Sequence, residues 1–435
     1  IKTNEDKSMK LERAKGTRDF LPEEKIIRNQ VVDKLKKVFE KYGYSPFETP
    51  IIERYDVLSA KQGAGQESDI MKEIFKLSDQ GGRSLGLRFE LTLSFSRVIG
   101  MNPNLKMPFK RYEIGSVFRD GPIKLGRYRQ FWQCDVDVVG TKKMIADAEL
   151  ILLTLDCFKE LGLNAYLQVN NRKLLKGIIE YADIPAKKAN SVIITIDKLS
   201  KYGKEEVLKE LKSKQVDDEQ IKKLMNAIEV QGTNKEKLQK LRSMITNDIG
   251  SQGLKELEEL FSYLSKQNIE FNPLLARGLG YYTGPIFEGF LRDSEIKSSI
   301  CGGGRYDEMI SSLLDSKKEY PATGISFGLD VITDAIKLTK KEYKKTTAKA
   351  YVIPIGIEKQ AFEIAQKLRN KGIKIDIDLT GRGISKNLNY ANSLEIPYVI
   401  FIGENELKQE KVKLKNMKTG KEEMIGVDEI YKKLK

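Results

Sequence analysis

Two segments of alternating character, Tyr112–Phe118 and Tyr128–Val139, bracket a polar loop that runs from Arg119 to Gly126. Alternation on both sides of a short loop marks a pair of antiparallel strands. This hairpin constrains the chain more than any other feature, because successive strand side chains point to opposite faces. Counted by twos from Phe131, the residues Gln133, Asp135 and Asp137 fall on one face. The loop places a guanidinium, Arg119, near a second one, Arg127. Such planar cations suit phosphate oxygens better than an ammonium does. Phe131 offers a ring on which a base can stack, a contact worth about 1–3 kcal/mol. Gln133 and Asp137 suit a small polar ligand. A solvated edge hairpin has the same pattern, so the rest of the chain must decide.

Around the hairpin the rhythm changes several times. Residues 23–42 read as an amphipathic helix: Pro22 and Glu23-Glu24 suit its first turn, and Gly43 closes it. Its apolar stripe is Ile26, Ile27, Val31, Leu35, Val38 and Phe39. Tyr44 to Ile52 is expected to be extended, since Pro46 and Pro50 oppose helix. Residues 142–161 predict a helix with Ile145, Ala148, Leu152, Leu155 and Phe158 on one side. From about 170 to 265 the sequence is rich in Lys and Glu, which predicts a small helical domain inserted into the core. Strand-like, Gly-rich sequence resumes at 273–306, and a helix is expected from Glu308 to Leu314. Lys337–Lys345 reads as a basic linker. Beyond it, strands and helices alternate to the end, the pattern of an α/β domain with a mixed sheet. The expected boundaries are 9–169 and 266–337 for the two parts of the core, 170–265 for the insert, 338–347 for the linker and 348–435 for the last domain.

Composition excludes several function classes. The chain of 435 residues has no histidine, which rules out Ser-His-Asp and Cys-His nucleophile systems and His-containing zinc sites. Cys134, Cys157 and Cys301 are far apart and odd in number, so no disulfide framework or zinc site is expected, and a reducing cytosol fits best. No apolar run of about 18 residues appears, and the polar N-terminal stretch lacks the apolar core of a signal peptide. The net charge of +14 agrees with a polyanionic partner but is weak evidence by itself.

The segment Leu275-Ala276-Arg277-Gly278-Leu279-Gly280-Tyr281-Tyr282-Thr283-Gly284 resembles the signature loop of histidyl-tRNA synthetases. The hairpin resembles motif 2 of that family, the unit 23–52 resembles motif 1 of class II synthetases, and Thr323–Ile332 resembles motif 3. Leu87-Arg88-Phe89-Glu90-Leu91-Thr92 is similar to the family segment that holds the substrate's α-amino group. Read as a strand, it puts Glu90 and Thr92 on one side. The last domain resembles the anticodon-binding domain of class IIa synthetases, with Gly381-Arg382-Gly383, Lys386 and Gly403-Glu404 in recurring positions. The resemblance runs from about Met9 to Lys435, with every motif in family order.

The resemblance implies an α+β catalytic core, an antiparallel sheet flanked by helices, with a helical insertion and a C-terminal α/β anticodon domain. It implies a cytoplasmic homodimer that activates L-histidine with ATP and Mg²⁺ and passes it to histidine tRNA. Arg119 and Arg277 take the catalytic roles, beside the α-phosphate. Glu90, Thr92, Gln133, Asp137, Tyr281 and Tyr282 bind histidine; Arg119, Arg127, Phe131 and Arg277 bind ATP; no residue is assigned as a resident metal ligand. Three positions depart from the family: Gly121 for the usual Glu, with Asp120 as candidate substitute, Gly280 for an Asp, and Val331 for the Arg that binds the γ-phosphate. Arg127 or Arg305 is the expected replacement for the last. Two other readings fit the same motifs: a non-catalytic paralogue that regulates ATP phosphoribosyltransferase, and a sensor of uncharged tRNA. With no histidine in the chain, pH dependence near neutrality is expected to come from the substrate.

Overall fold

The computed structural model describes residues 11–60, 69–123, 128–264, 268–277, 280–339 and 343–434. It divides into two compact units. The first holds the chain up to Arg18 together with Val31–Thr339, and the second holds Asp19–Gln30 with the chain from Lys340 onward.

The first unit carries eleven strands among the described residues: β1 (Ser45–Pro46), β2 (Ile52–Arg54), β3 (Lys76–Ser78), β4 (Ser84–Leu87), β5 (Phe109–Phe118), β6 (Gln130–Val139), β7 (Ala165–Asn171), β8 (Ile269–Phe271), β9 (Pro285–Leu291), β10 (Cys301–Arg305) and β11 (Ala322–Gly328). Eight of them form one sheet in the order β1-β5-β6-β11-β10-β9-β7-β8, and β2-β4-β3 form a small second sheet. The six central strands are antiparallel, and a short parallel strand closes each edge.

Directly paired residues share a face, so the register defines the two sides of the sheet. Gln133 pairs with Gly115 and Gly328, Asp135 with Glu113 and Ser326, and Asp137 with Arg111 and Gly324. Ser326 and Gly324 then pair with Gly302 and Gly304, and Gly302 with Glu288. One face is therefore polar and glycine-lined. The other is apolar, with Cys134, Val136, Val138, Ile325, Phe327 and Phe287 buried. Phe39 of the helix Pro22–Lys41 packs there, its ring 5.7 Å from Phe327 and 5.5 Å from Tyr112.

The helix Met144–Leu161 also lies against the sheet, on β7 and β11. Its buried stripe is Asp147, Leu150, Ile151, Thr154, Cys157 and Phe158, while Ile145 is exposed. Of the expected face, Ala148 and Phe158 are buried and Leu152 and Leu155 half-buried; Ile145 departs because this helix is apolar nearly all round, so its sequence does not single out one stripe. The predicted extension from Tyr44 to Ile52 contains only the two-residue β1 and the start of β2. Between β7 and β8 the described chain is helical, from Arg172 to Ser262, and it remains within the first unit.

In the second unit, β12 (Ala350–Ile355), β13 (Ile375–Ile377), β14 (Tyr398–Gly403), β15 (Lys411–Asn416) and β16 (Glu422–Gly426) form a mixed sheet in the order β13-β12-β14-β15-β16. Its first two pairings are parallel and its last two antiparallel. Apolar clusters cover both faces, one centred on Val352, Ile400 and Leu368, the other on Tyr351, Ile353 and Ile396. Residues 340–342 of the expected linker lie outside the described residues.

Candidate active site

Glycines make the polar face usable. A β-carbon on Gly324 would sit 1.9 Å from Asp137 Oδ1, and one on Gly115 would sit 2.2 Å from the Arg88 guanidinium. Gly302 leaves the same kind of room for Arg277. Long polar side chains can thus lie flat on the strands, as no side chain rises beneath them.

Arg277 enters from the loop before β9 with φ of 49°, in the left-handed region. Its Nη1 stands 3.8 Å from Glu288 Oε1, and its guanidinium carbon 5.7 Å from the Tyr282 ring centroid. Burial works against its charge, but the oxygens of Tyr282, Glu288 and Tyr281 offset this and raise its pKa. Nε and Nη1 are buried without a hydrogen-bond partner among the described residues. The Tyr281 and Tyr282 rings meet at 4.7 Å, and Tyr281 stands edge-on to Tyr306 at 6.3 Å. Gly278 and Leu279 lie outside the described residues.

Glu90 and Thr92 are both buried but do not share a strand. β4 ends at Leu87, and Thr92 opens the helix Thr92–Met101. The alternation of Arg88-Phe89-Glu90-Leu91 has another cause. Arg88 turns inward to Thr49 O at 2.7 Å and Glu113 Oε1 at 2.9 Å, while Leu91 is buried in the core. Burial raises the Glu90 carboxyl to about 7, with Arg119 opposing and Asp137 adding to the rise. Its Oε1 has no hydrogen-bond partner.

On β6 the three acidic or amide positions differ. Gln133 Nε2 donates to Ser326 Oγ at 2.8 Å and leaves Oε1 buried without a partner. Asp137 Oδ1 accepts from Tyr306 Oη at 2.5 Å, and Oδ2 lies 2.8 Å from Arg111 Nη2 at an angle that makes an ionic contact but no hydrogen bond. Asp135 keeps Oδ1 buried without a partner. Burial lifts its carboxyl to about 8, with Arg111 opposing. Asp135 belongs with the candidate ligand groups although sequence reasoning left it out. Its place two residues from both Gln133 and Asp137 was the available signal. Burial raises both Glu90 and Asp135, so pH dependence near neutrality, expected from the substrate because the chain has no histidine, has candidate groups in the protein as well.

At the open end of the hairpin, Arg119 N donates to Arg129 O at 2.8 Å, so the strand pairing continues past β5 and β6. Arg119 Nε donates to Phe89 O at 3.1 Å, and its guanidinium lies 5.0 Å from the Phe131 ring. Asp120 is engaged by Arg129 at 3.1 Å. The space in front of Gly121 belongs to Glu73, whose carboxylate a β-carbon there would meet at 2.6 Å. A carboxylate thus reaches that position from a distant segment, which no local motif announces. Arg127 lies outside the described residues.

Arg305 does not replace the missing cation of motif 3. It is on the strand's opposite face from Gly304, fully buried, and bound to Asp147, Asp307 and the carbonyls of Thr141 and Lys143. Asp330 accepts from Trp132 N at 2.9 Å and pairs with Arg18 at 2.7 Å.

Around the polar face, buried acceptors (Glu90 Oε1, Gln133 Oε1, Asp135 Oδ1) and buried donors (Arg277 Nε and Nη1) have no hydrogen-bond partner among the described residues. Native proteins rarely leave such atoms unpaired without a functional reason. Acceptors for a cation beside donors for an anion suit a zwitterion.

The family model of histidyl-tRNA synthetase matches residues 16–332, and that of an anticodon-binding domain matches residues 349–435. Histidine–tRNA ligase 1 of Bacillus cereus is 44% identical over 427 residues, 97% of this chain and 97% of its own length. The chain belongs to the histidyl-tRNA synthetase family. A crystal structure of histidyl-tRNA synthetase from Nostoc sp. superposes with a TM-score of 0.86 at 28% identity, covering 98% of this chain and 99% of that one. An ATP phosphoribosyltransferase regulatory subunit/histidyl-tRNA synthetase from Bacillus halodurans has a TM-score of 0.75 at 23% identity, over 92% of this chain and 100% of that one. That likeness establishes a shared fold and nothing about activity. The match over residues 349–435 agrees with the α/β domain expected at the C-terminal end. No helix among the described residues is long and apolar enough to cross a membrane.

Proposed function

We propose that the chain is a histidine–tRNA ligase. It joins L-histidine to ATP, giving histidyl-adenylate and pyrophosphate, and then transfers the histidyl group to the terminal ribose of histidine tRNA. One observation carries the reading: the unpaired buried donors and acceptors around the glycine-lined face match a zwitterionic amino acid with a polar side chain.

The roles follow from charge and position. Glu90, ionised when it meets the α-ammonium, holds the amino group together with the Thr92 hydroxyl. Gln133, Asp135 and Asp137 line the place for the imidazole, with Asp137 fixed by Tyr306 and Arg111, and Tyr281 and Tyr282 frame it. The histidine carboxylate is already ionised at neutral pH and attacks without a general base. Arg277 and Arg119 neutralise the negative charge that builds on the α-phosphoryl oxygens as pyrophosphate leaves, an electrostatic service that needs no imidazole. Phe131 stacks the adenine. Arg127 holds the outer phosphates.

Among the described residues no group of three or more His, Cys, Asp or Glu converges to cage a metal. Mg²⁺ commonly binds through substrate phosphates with one or two carboxylates and waters. This donor set fits that mode, with Glu288, beside Arg277, as the carboxylate that would face the ion. Bound there, Mg²⁺ supplies charge neutralisation on the phosphates. The protein acts as a cytoplasmic homodimer, and its second unit grips the anticodon.

Charging of a histidine tRNA transcript, with each of the twenty amino acids in turn, tests the reading. Histidine alone is expected to be attached. Attachment of another amino acid, or of none by folded protein, removes it.

A further inference from the structure

The end of β7 holds the segment from which Arg277 projects. Asn170 Nδ2 donates to Pro273 O at 3.0 Å and to Leu275 O at 2.8 Å. Two residues on, Arg172 grips the loop twice: its backbone N donates to Gly284 O at 2.8 Å, and its Nη1 donates to Ala276 O at 3.3 Å. Its Nη2 donates to Asn190 Oδ1 at 3.2 Å, in the helix Ala189–Asp197. Arg172 is 1% exposed, and both side-chain partners are neutral. Burial lowers its pKa to about 10, with Asp197 opposing. A buried guanidinium whose side-chain hydrogen bonds go only to neutral partners is costly even with Asp197 offsetting part of the burial, and a plain structural role would be served more cheaply by an apolar side chain.

What it holds explains the cost. Ala276 O belongs to the peptide that leads into Arg277, whose φ of 49° is unfavourable for a residue with a side chain. Such a conformation persists only where surrounding contacts over-determine it. We propose that Arg172 is a positioning residue: it fixes the Ala276–Arg277 peptide so that the Arg277 guanidinium lies over Gly302, and Asn190 fixes Arg172 in turn. The helical region between β7 and β8 is thereby tied to the reacting centre by a chain of two hydrogen bonds.

The inference rests on Arg277 acting in adenylate formation, and a double-mutant cycle separates the two claims. Adenylate formation is measured by histidine-dependent exchange of labelled pyrophosphate into ATP and by single-turnover assay. The variants are the parent, Arg172→Met, Arg277→Ala and the double variant, each checked for folding by circular dichroism. Arg172→Met is expected to lower kcat about 10- to 100-fold with the KM for ATP little changed, and Arg172→Lys to restore part of the loss. In the Arg277→Ala background the same change is expected to cost less than about twofold, since Arg172 acts through Arg277. Asn190→Ala, a milder change, is expected to give a several-fold loss that also vanishes in that background, and it decides the matter if Arg172→Met does not fold. Equal losses in both backgrounds, or parental kcat in the folded variants, overturn the proposal. Absence of exchange in the parent overturns the functional reading instead.

Discussion

Arg277 lies across Gly302: a β-carbon on that glycine would come 1.5 Å from Nη1 of the guanidinium. The place of this cation therefore depends on the lack of a side chain on the neighbouring strand. Gly302→Ala is expected to push the guanidinium off the sheet and slow histidine activation by about 100-fold, the usual cost of misplacing a catalytic group by about 1 Å. The effect should fall on kcat more than on the KM for histidine, and steady-state exchange kinetics read the split.

Arg277→Ala removes the charge itself. A loss of about 100- to 1,000-fold in adenylate formation is expected, in the range found when one transition-state donor is removed, with the fold intact by circular dichroism. Activity within twofold of the parent would withdraw Arg277 from the mechanism.

With Glu90 on the α-ammonium, as proposed, histidine binding is expected to depend on pH through the protein. Its folded pKa, about 7, lies above the ordinary value of 4.5, so the free protein is protonated there below neutrality. The sign for stability follows: the contribution of Glu90 is fully present below about pH 4.5 and is lost as pH rises through about 7. The α-ammonium favours the ionised form, so binding releases a proton below pH 7, and affinity should rise with pH and level off above 7. Calorimetry in buffers of different ionisation enthalpy measures the release. Glu90→Gln is expected to bind more weakly and to lose the part of the slope that Glu90 contributes; an unchanged slope assigns it to the imidazole of the substrate or to Asp135.

The second unit is tested by substitution and not by deletion, because Asp19–Gln30 groups with it and truncation would strip that stretch of its neighbours. The loop before the helix Ile384–Ser393 is built by Asp378, which accepts from Thr380 N, Arg382 N and Asn387 Nδ2. Arg382 in this loop and Lys386 in the first turn of the helix are both exposed. Replacing these two by Ala is expected to raise the KM for tRNA several-fold and flatten its salt dependence, with pyrophosphate exchange unchanged. Unaltered charging would move the RNA contact elsewhere.

Much of this was legible in the sequence, and what was not has a physical reason. Period-two counting placed Gln133, Asp135 and Asp137 on one face correctly, since a strand pair of ten residues leaves little freedom of register. The βα rhythm of the second unit was equally plain, and strands and helices alternate there as expected. Glu90-Leu91-Thr92 misled, because a strand-to-helix loop with an inward Arg88 alternates just as a strand does. The helix Met144–Leu161 misled at Ile145, because its apolar residues surround it. Glu73 in front of Gly121, and Arg172 on the carbonyl of Ala276, are meetings of residues far apart in the chain or hidden by burial. Nothing local records them. Arg305 looked available as a free cation, and only the fold reveals Asp147 opposite it.

The central claim is that this face activates histidine. Exchange of labelled pyrophosphate into ATP, run with full-length protein, Mg²⁺ and each amino acid in turn, tests it most directly. The account predicts exchange with histidine, near background with the other nineteen, and its near-complete loss in Arg277→Ala. No exchange with histidine from folded protein that still binds tRNA would contradict it and leave an RNA-binding protein without the chemistry.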